Sequence, residues 1–187
     1  MLVLHHDVTS AASAVAVLRL QPLADAGGRI AFSGIDVLGL AISIPPTREL
    51  LAEREHHAGS AVALGLELRR PSQQPPTLAC HLVGDLAEER GLGAAWRLAS
   101  LRAFWTDDRD IGDRTELLRL ADEVGLDPEE VAARLDDRSA AQDLRSRMVA
   151  QRQRGIGGVP VLEVDGAFVP ADLTDTDLEQ LAFGGTR

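Results

Sequence analysis

Gly155-Ile-Gly-Gly-Val-Pro-Val-Leu-Glu-Val-Asp-Gly166 is the stretch on which the fold turns. Val159 to Val164 is apolar and rich in β-branched residues, with glycine on both sides, and reads as a buried strand. Pro160 stands at its beginning. A proline has no N–H for a sheet ladder, so it belongs at a strand start or an edge. Asp165-Gly166 then predicts a tight hairpin turn, because glycine accepts positive φ, and Ala167 to Val169 becomes the return strand. The Val159-Pro160 bond is a candidate for a cis peptide, which for X-Pro costs only about 0.5–1 kcal/mol. An ordinary trans proline at a strand edge is the other reading.

Working outward, Leu2 to His6 reads as a strand ended by Asp7. Thr9 or Ser10 offers an N-cap for a helix over Ala11 to Ala24, with Pro22 near its end. Arg29 to Val37 alternates roughly and reads as a second strand, parallel to the first in a βαβ unit. Pro45-Pro46-Thr47 opens a short polar helix over Arg48 to His57, and Gly65 to Leu68 reads as a short extended piece. Arg70 to Pro76 is a proline-rich loop.

Thr77 begins a long helical section in which Leu78, Leu82 and Leu86 recur, followed by Trp96, Leu101, Phe104 and Trp105. Asp110 to Asp113 is a break, with Asp113 capping a helix over Thr115 to Val124. Asp127-Pro128-Glu-Glu130 is a helix start with an N-cap, a proline at the first position and acids in the first turn. Ser139 to Arg154 is one more helix, ended by Gly155. A final helix follows the hairpin over Asp175 to Ala182, and Gly184-Gly-Thr-Arg187 is expected to fray. The order is β-α-β, an all-helical insert, then β-β-α.

Composition bounds the function. The 187 residues suffice for one generous domain, or a domain with an insertion. Aromatics are only 3%, so the core must come from Leu, Val and Ala. The formal net charge of −10 argues against nucleic acid, which needs a basic face. Lys, Asn and Tyr are absent, as a very GC-rich gene would give. The N-terminus lacks the basic start and apolar core of a signal peptide, and no run approaches the length of a membrane span. A cytoplasmic protein with no membrane partner is expected. Cys80 is the single cysteine, so no internal disulfide can form.

The Gly158-Val159-Pro160 strand entry and the Asp165-Gly166 hairpin resemble the cis-proline signature of thioredoxin-like proteins. In the helical insert, the stretch Phe104-Trp105-Thr-Asp-Asp-Arg109-Asp-Ile-Gly-Asp113 with Gly125-Leu-Asp127-Pro128 is similar to an aromatic-aromatic, acidic, Arg-Asp-Ile, Gly-Leu-Asp pattern of one family of such proteins. The likeness is to the DsbA family, in the branch of 2-hydroxychromene-2-carboxylate isomerase and FrnE-like proteins. It implies an α/β thioredoxin fold with an inserted all-helical domain: residues 1–75 and 152–187 for the thioredoxin-like part, 76–151 for the insert.

The resemblance places the site at the start of the first helix, facing the proline. Redox members carry Cys-x-x-Cys there; this chain has Ser10-Ala-Ala-Ser13. Disulfide exchange needs a thiolate and a resolving thiol, so dithiol oxidoreductase activity is not expected. A helix N-terminus still offers free N–H groups and partial positive charge. In the isomerase branch a serine at this place holds the sulfur of bound glutathione, a charge-assisted hydrogen bond of about 1.5–3 kcal/mol. Ser10 is thus a candidate thiolate stabiliser, or merely an N-cap. Ser13 reads first as structural. Val159 and Pro160 would supply a backbone edge for glutathione or mycothiol. Asp172 matches an acid that follows the hairpin in the family, though the family's Gly and Arg are missing around it, and its simpler reading is a helix cap.

Cys80 and His81 are adjacent on a helix and do not face each other. Cys80 reads as a packed small residue. By the resemblance His81 lies near the cleft and is a candidate general acid or base. The family's Asn-Thr before this helix appears as Pro76-Thr77. His5-His6 and His56-His57 do not suggest metal: adjacent strand residues point to opposite faces, and no carboxylate or cysteine sits at ligand spacing nearby. Trp96 and Trp105 read as insert core. The expected catalytic residues are Ser10 and His81, and the cofactor-binding set is Ser10, Ser13, Val159, Pro160 and Asp172. The expected function is a thiol-dependent isomerase or transferase acting on a small organic substrate, with a catalytically silent binding protein as the alternative. A homodimer is left open.

Overall fold

The computed structural model describes residues 1–184. The chain runs β1 (Leu2–His6), α1 (Ala11–Asp25), β2 (Ile30–Gly34) and α2 (Arg48–Ala63). Five helices follow: α3 (Leu78–Glu89), α4 (Gly93–Trp105), α5 (Arg114–Glu123), α6 (Pro128–Asp136) and α7 (Arg138–Gln153). It closes with β3 (Val161–Val164), β4 (Ala167–Pro170) and α8 (Asp175–Phe183). The fraying expected of the tail concerns residues 185–187, which lie outside the described residues.

The four strands form one sheet in the order β2-β1-β3-β4. β1 and β2 are parallel, from Leu2 opposite Ile30 to His6 opposite Gly34. β3 runs antiparallel to β1, with His5 opposite Val161. β4 returns antiparallel to β3, with Val161 opposite Pro170. The hairpin turns at Asp165 and Gly166, with φ of 50° and 89°, the paired positive values that match the twist of the flanking strands. This is the split thioredoxin arrangement that the element order predicts.

Local chemistry explains most helix starts. Ser10, Thr47, Asp113, Asp127 and Thr174 each accept a hydrogen bond from a first-turn N–H at an N-cap. Asp137 does the same for α7 with two donors, Ser139 and Ala140. Pro128 takes the first position of α6, where its missing N–H costs nothing.

One expectation is refined and two need correction. The section from Leu78 to Trp105 is two helices, broken at Arg90 to Leu92, where Gly91 has φ 71°. The polar helix from Arg48 runs six residues beyond His57, to Ala63. Burial of Leu50 and Ala61 on this helix outweighs the roughly 1 kcal/mol penalty of Gly59. Gly65 to Leu68 forms no strand; Leu66 and Leu68 are instead anchored by burial.

The main hydrophobic cluster joins Leu4 and Leu162 of the sheet and Val17 of α1 to Leu86, Trp96 and Leu117 of the insert helices, and a smaller one holds Leu82, Leu144 and Met148. Trp105, with no exposed surface, donates its indole Nε1–H to the carbonyl of Val8 at 2.8 Å. The end of α4 is thereby tied to the loop between β1 and α1. No helix among the described residues is long and apolar enough to cross a membrane. Trp105→Phe removes the donor and leaves the Val8 carbonyl buried and unpaired, so it is expected to lower unfolding free energy by about 1–3 kcal/mol, read from urea denaturation.

Candidate functional site

β1 ends at His6 and the chain passes through Asp7 to Ser10 into α1. The β1–β3 register sets His5 beside Val161, so the next position outward brings Pro160 to this same end of the sheet. The Val159–Pro160 peptide bond is cis. Pro170 pairs with Val161, so the segment after β4, including Asp172, also leaves from this end. The topology therefore gathers Ser10, Ser13, Val159, Pro160 and Asp172 at one edge.

Asp7 is fully buried. Its carboxylate accepts the Thr9 N–H at 3.3 Å and the Val37 N–H at 2.8 Å. The Asp7 N–H donates to Ser13 Oγ at 3.3 Å, and Ser13 is itself fully enclosed beneath the first turn of α1. Ser10 Oγ caps α1 by accepting the Ser13 N–H at 3.1 Å. The same hydroxyl donates to Oε1 of Glu53 at 2.7 Å, and the Ala12 N–H donates to that oxygen at 2.9 Å. Ser10 is therefore both a cap and a donor to an anion, and the anion belongs to the chain itself. Sequence reasoning passed over Glu53, which is one acid among several on a polar helix. Only the packing of α2 against α1 singles it out.

His81 lies on α3 with its side chain 5% exposed, Nε2 standing 3.5 Å from Asp7 Oδ1. That nitrogen makes no hydrogen bond of good geometry. The His6 ring meets His81 edge-on at 5.7 Å between centroids. The two border a hollow of about 30 Å³ with Phe32, Arg97 and Ser100. His81 is thus enclosed behind the end of β1, where the resemblance implied a place near the cleft. Gly34 of β2 makes this possible, because a Cβ there would overlap the His81 ring.

Val159 forms part of a groove of about 370 Å³ with Ile35, Val37, Gly158 and Arg152. A second groove of about 490 Å³ shares Gly39 and Arg152 with it and continues past Leu78, Met148 and Arg145. Arg152 donates to the Asp36 carbonyl at 2.7 Å. Asp172 is exposed, and the capping role its position suggested belongs to Thr174, which accepts the Asp177 N–H at 3.2 Å.

His5 and His6 point to opposite faces, as neighbours on a strand must. His5 Nε2 pairs with Glu163 Oε2 at 3.0 Å and Nδ1 lies 3.3 Å from Gln151 Nε2. Burial pushes His6 well below the usual histidine range, helped by His81, Arg97 and His5. Cys80 is fully enclosed. Burial pushes its thiol up to about 12, and the charge of Asp7 adds to the effect. Trp96 donates its indole N–H to the Cys80 carbonyl at 3.1 Å. Among the described residues no group of three His, Cys, Asp or Glu side chains is placed to hold a metal ion.

With one cysteine per chain, and that one sealed in α3, the edge carries hydroxyls in the place of a thiol pair. A family model described as a DSBA-like thioredoxin domain matches residues 41–182. The chain belongs to this family. A curated relative, uncharacterized protein YwbO of Bacillus subtilis (strain 168), is 29% identical over 119 residues, which is 59% of this chain. The aligned part spans 56% of that relative's length. Among solved structures, the probable DsbA oxidoreductase SCO1869 of Streptomyces coelicolor superposes with a TM-score of 0.82 at 26% identity, covering 100% of this chain and 91% of that one. The 2-hydroxychromene-2-carboxylate isomerase structure gives 0.73 at 19% identity, covering 90% and 87%. The cytosolic disulfide reductase DsbM of Pseudomonas aeruginosa, solved with glutathione, gives 0.71 at 21% identity, covering 97% and 92%. The last two likenesses are of fold.

Two measurements follow from these environments. Cys80 in this family member is expected to resist a water-soluble thiol reagent at neutral pH until the chain is unfolded, because a buried thiol of raised pKa offers no thiolate. Partial labelling of the native protein would show that α3 opens. His6 sets an acid dependence. Its native pKa lies below the unfolded value of 6.5. The unfolded chain therefore takes up a proton that the native chain refuses, and the stability His6 contributes above that value is lost as pH falls beneath it. Unfolding free energy is expected to drop by about 1 kcal/mol from this group between about pH 7.5 and about pH 5.5, and His6→Leu to remove that part of the drop.

Proposed function

We propose that this chain is a non-redox member of the DSBA-like family that binds a small thiol, glutathione or mycothiol. It would use that thiol to isomerise or transfer a small organic substrate. One observation carries the reading: the Ser10 hydroxyl and the Ala12 N–H converge on a single anionic oxygen. Two donors at the positive end of a helix are what a sulfur anion needs. Disulfide exchange has no place in the scheme, since Ser10 and Ser13 cannot form or break an S–S bond.

In this reading the peptide-like body of the thiol lies along the edge at Val159 and Pro160, and the organic substrate occupies the adjoining grooves. Asp172 stands exposed at the same end, available to a polar group of the ligand. Ser13 supports the turn from beneath. In this reading His81, whose Nε2 stands 3.5 Å from Asp7 Oδ1, is the group that holds or releases a proton. The glutathione-bound DsbM structure is a fold neighbour and supports the choice of thiol. A cytoplasmic setting, where small thiols are kept reduced, is part of the proposal.

A second reading is a catalytically silent protein that binds a partner through the same groove. Glu53 favours it, because the two donors are already satisfied in the free chain. Thermal unfolding with added thiol separates the two. A ligand at a hundredfold excess over Kd adds about 2.7 kcal/mol of stability. Glutathione or mycothiol is expected to raise the melting temperature saturably and to perturb tryptophan fluorescence, and Ser10→Ala is expected to weaken both responses. No response to either thiol, in the wild type or in variants of the α1 mouth, would leave the silent reading. Insulin reduction is expected to be absent in the wild type and in Cys80→Ser alike.

A further inference from the structure

Two half-buried glutamates elsewhere in the chain are held by arginines. Glu116 and Glu163, with side chains 17% and 16% exposed, pair with Arg109 and Arg154. Glu53 is also half-buried, yet among the described residues it forms no ion pair. Its recorded donors are Ser10 Oγ–H at 2.7 Å and Ala12 N–H at 2.9 Å, both on the same oxygen. A side chain from α2 thus does at the mouth of α1 what an anionic ligand would do, 43 residues away in sequence.

We infer that Glu53 is a built-in competitor for the thiol site, a specificity determinant that opposes any ligand entering with its sulfur as a thiolate. The inference rests on the thiol reading above. A thiolate accepting from Ser10 would have to stand within a few ångströms of the Glu53 oxygen, and two negative charges that close repel strongly at the low effective dielectric of a protein edge. The carboxylate must therefore swing out before the thiolate is seated. It can do so, since Glu53 is partly open to solvent and among the described residues no ion pair anchors it. The exchange gives up two charge-assisted hydrogen bonds, so the wild type holds a thiol weakly. Once the carboxylate has left, both donors are free for sulfur.

Glu53→Gln isolates the charge. The glutamine carbonyl has the same reach and can still accept from Ser10 and Ala12, so the fold is expected to survive, which a thermal melt checks. The neutral acceptor competes less well, because hydrogen bonds to charged acceptors are roughly twice as strong. Glutathione and S-methylglutathione are titrated by calorimetry into the wild type, Glu53→Gln, Glu53→Ala and Ser10→Ala/Glu53→Gln. The thioether has the same peptide body and cannot ionise at sulfur, so it reports that body alone.

The expected result is that glutathione binds Glu53→Gln and Glu53→Ala at least about tenfold more tightly than wild type. S-methylglutathione should be unchanged, and the gain should vanish when Ser10 is also replaced. Equal tightening of both ligands would overturn the inference, placing the repulsion on the peptide carboxylates rather than on sulfur. Unchanged or weaker glutathione binding in Glu53→Gln, with both ligands still bound, would overturn it while leaving the thiol reading in place. Absence of binding by both ligands to all four proteins would remove the thiol reading and the competitor together.

Discussion

A carboxylate without exposed surface holds the functional end of this molecule together. Asp7 follows the central strand, accepts backbone N–H groups from Thr9 and from Val37, and passes its own N–H to Ser13. The end of β1, the first turn of α1 and the loop after β2 are fastened to one residue. Burying a charge in this way is expensive unless donors surround it. Two backbone N–H groups supply part of the compensation, and the His81 ring stands beside them. The helical layer is oriented by the same loop, since Trp105 of α4 donates to the carbonyl of Val8, the next residue.

Much of this was legible because it is local. Asp165-Gly166 implies a hairpin through backbone sterics alone, and Asp127-Pro128 implies a helix start through capping chemistry, so both stand where the sequence puts them. The serines at 10 and 13 could be read as the start of a helix with its thiols replaced, because the fold resemblance fixes where the site must lie. What could not be read was tertiary. Nothing in the Arg48 to His57 stretch marks Glu53 apart from its neighbours, and its meaning appears only when α2 lies along α1. Asp172 looked like a cap because it is an acid near a helix start, but Thr174 stands at the position whose oxygen reaches the first turn. The interruption at Arg90 to Leu92 did carry a signal, Gly91, just past the point where the four-residue leucine spacing stops at Leu86.

The replacement of sulfur by oxygen at the α1 mouth changes the kind of chemistry available and leaves the electrostatics intact. A hydroxyl forms no bond to sulfur under these conditions, but it donates a hydrogen bond as readily as a thiol does, and more strongly. The helix end remains a place where negative charge is comfortable. The chain's own response is to fill that place with Glu53, which gives α2 a polar anchor onto α1 in addition to the buried Leu50 and Ala61. One contact therefore serves two ends: it stabilises the packing of two helices, and it occupies both donors at the mouth of α1.

The missing side chain at Gly34 has its own consequence. The imidazole of α3 occupies the volume that any Cβ on β2 would need, so the two positions share one allotment of space. How near α3 can come to the sheet is thereby decided by a hydrogen atom on β2. Enlarging the strand residue would drive the helix outward unless the imidazole shrank in step, and a smaller group at 81 would open a void that only growth at 34 could close. Positions 34 and 81 are matched by size, and they can change only as a pair.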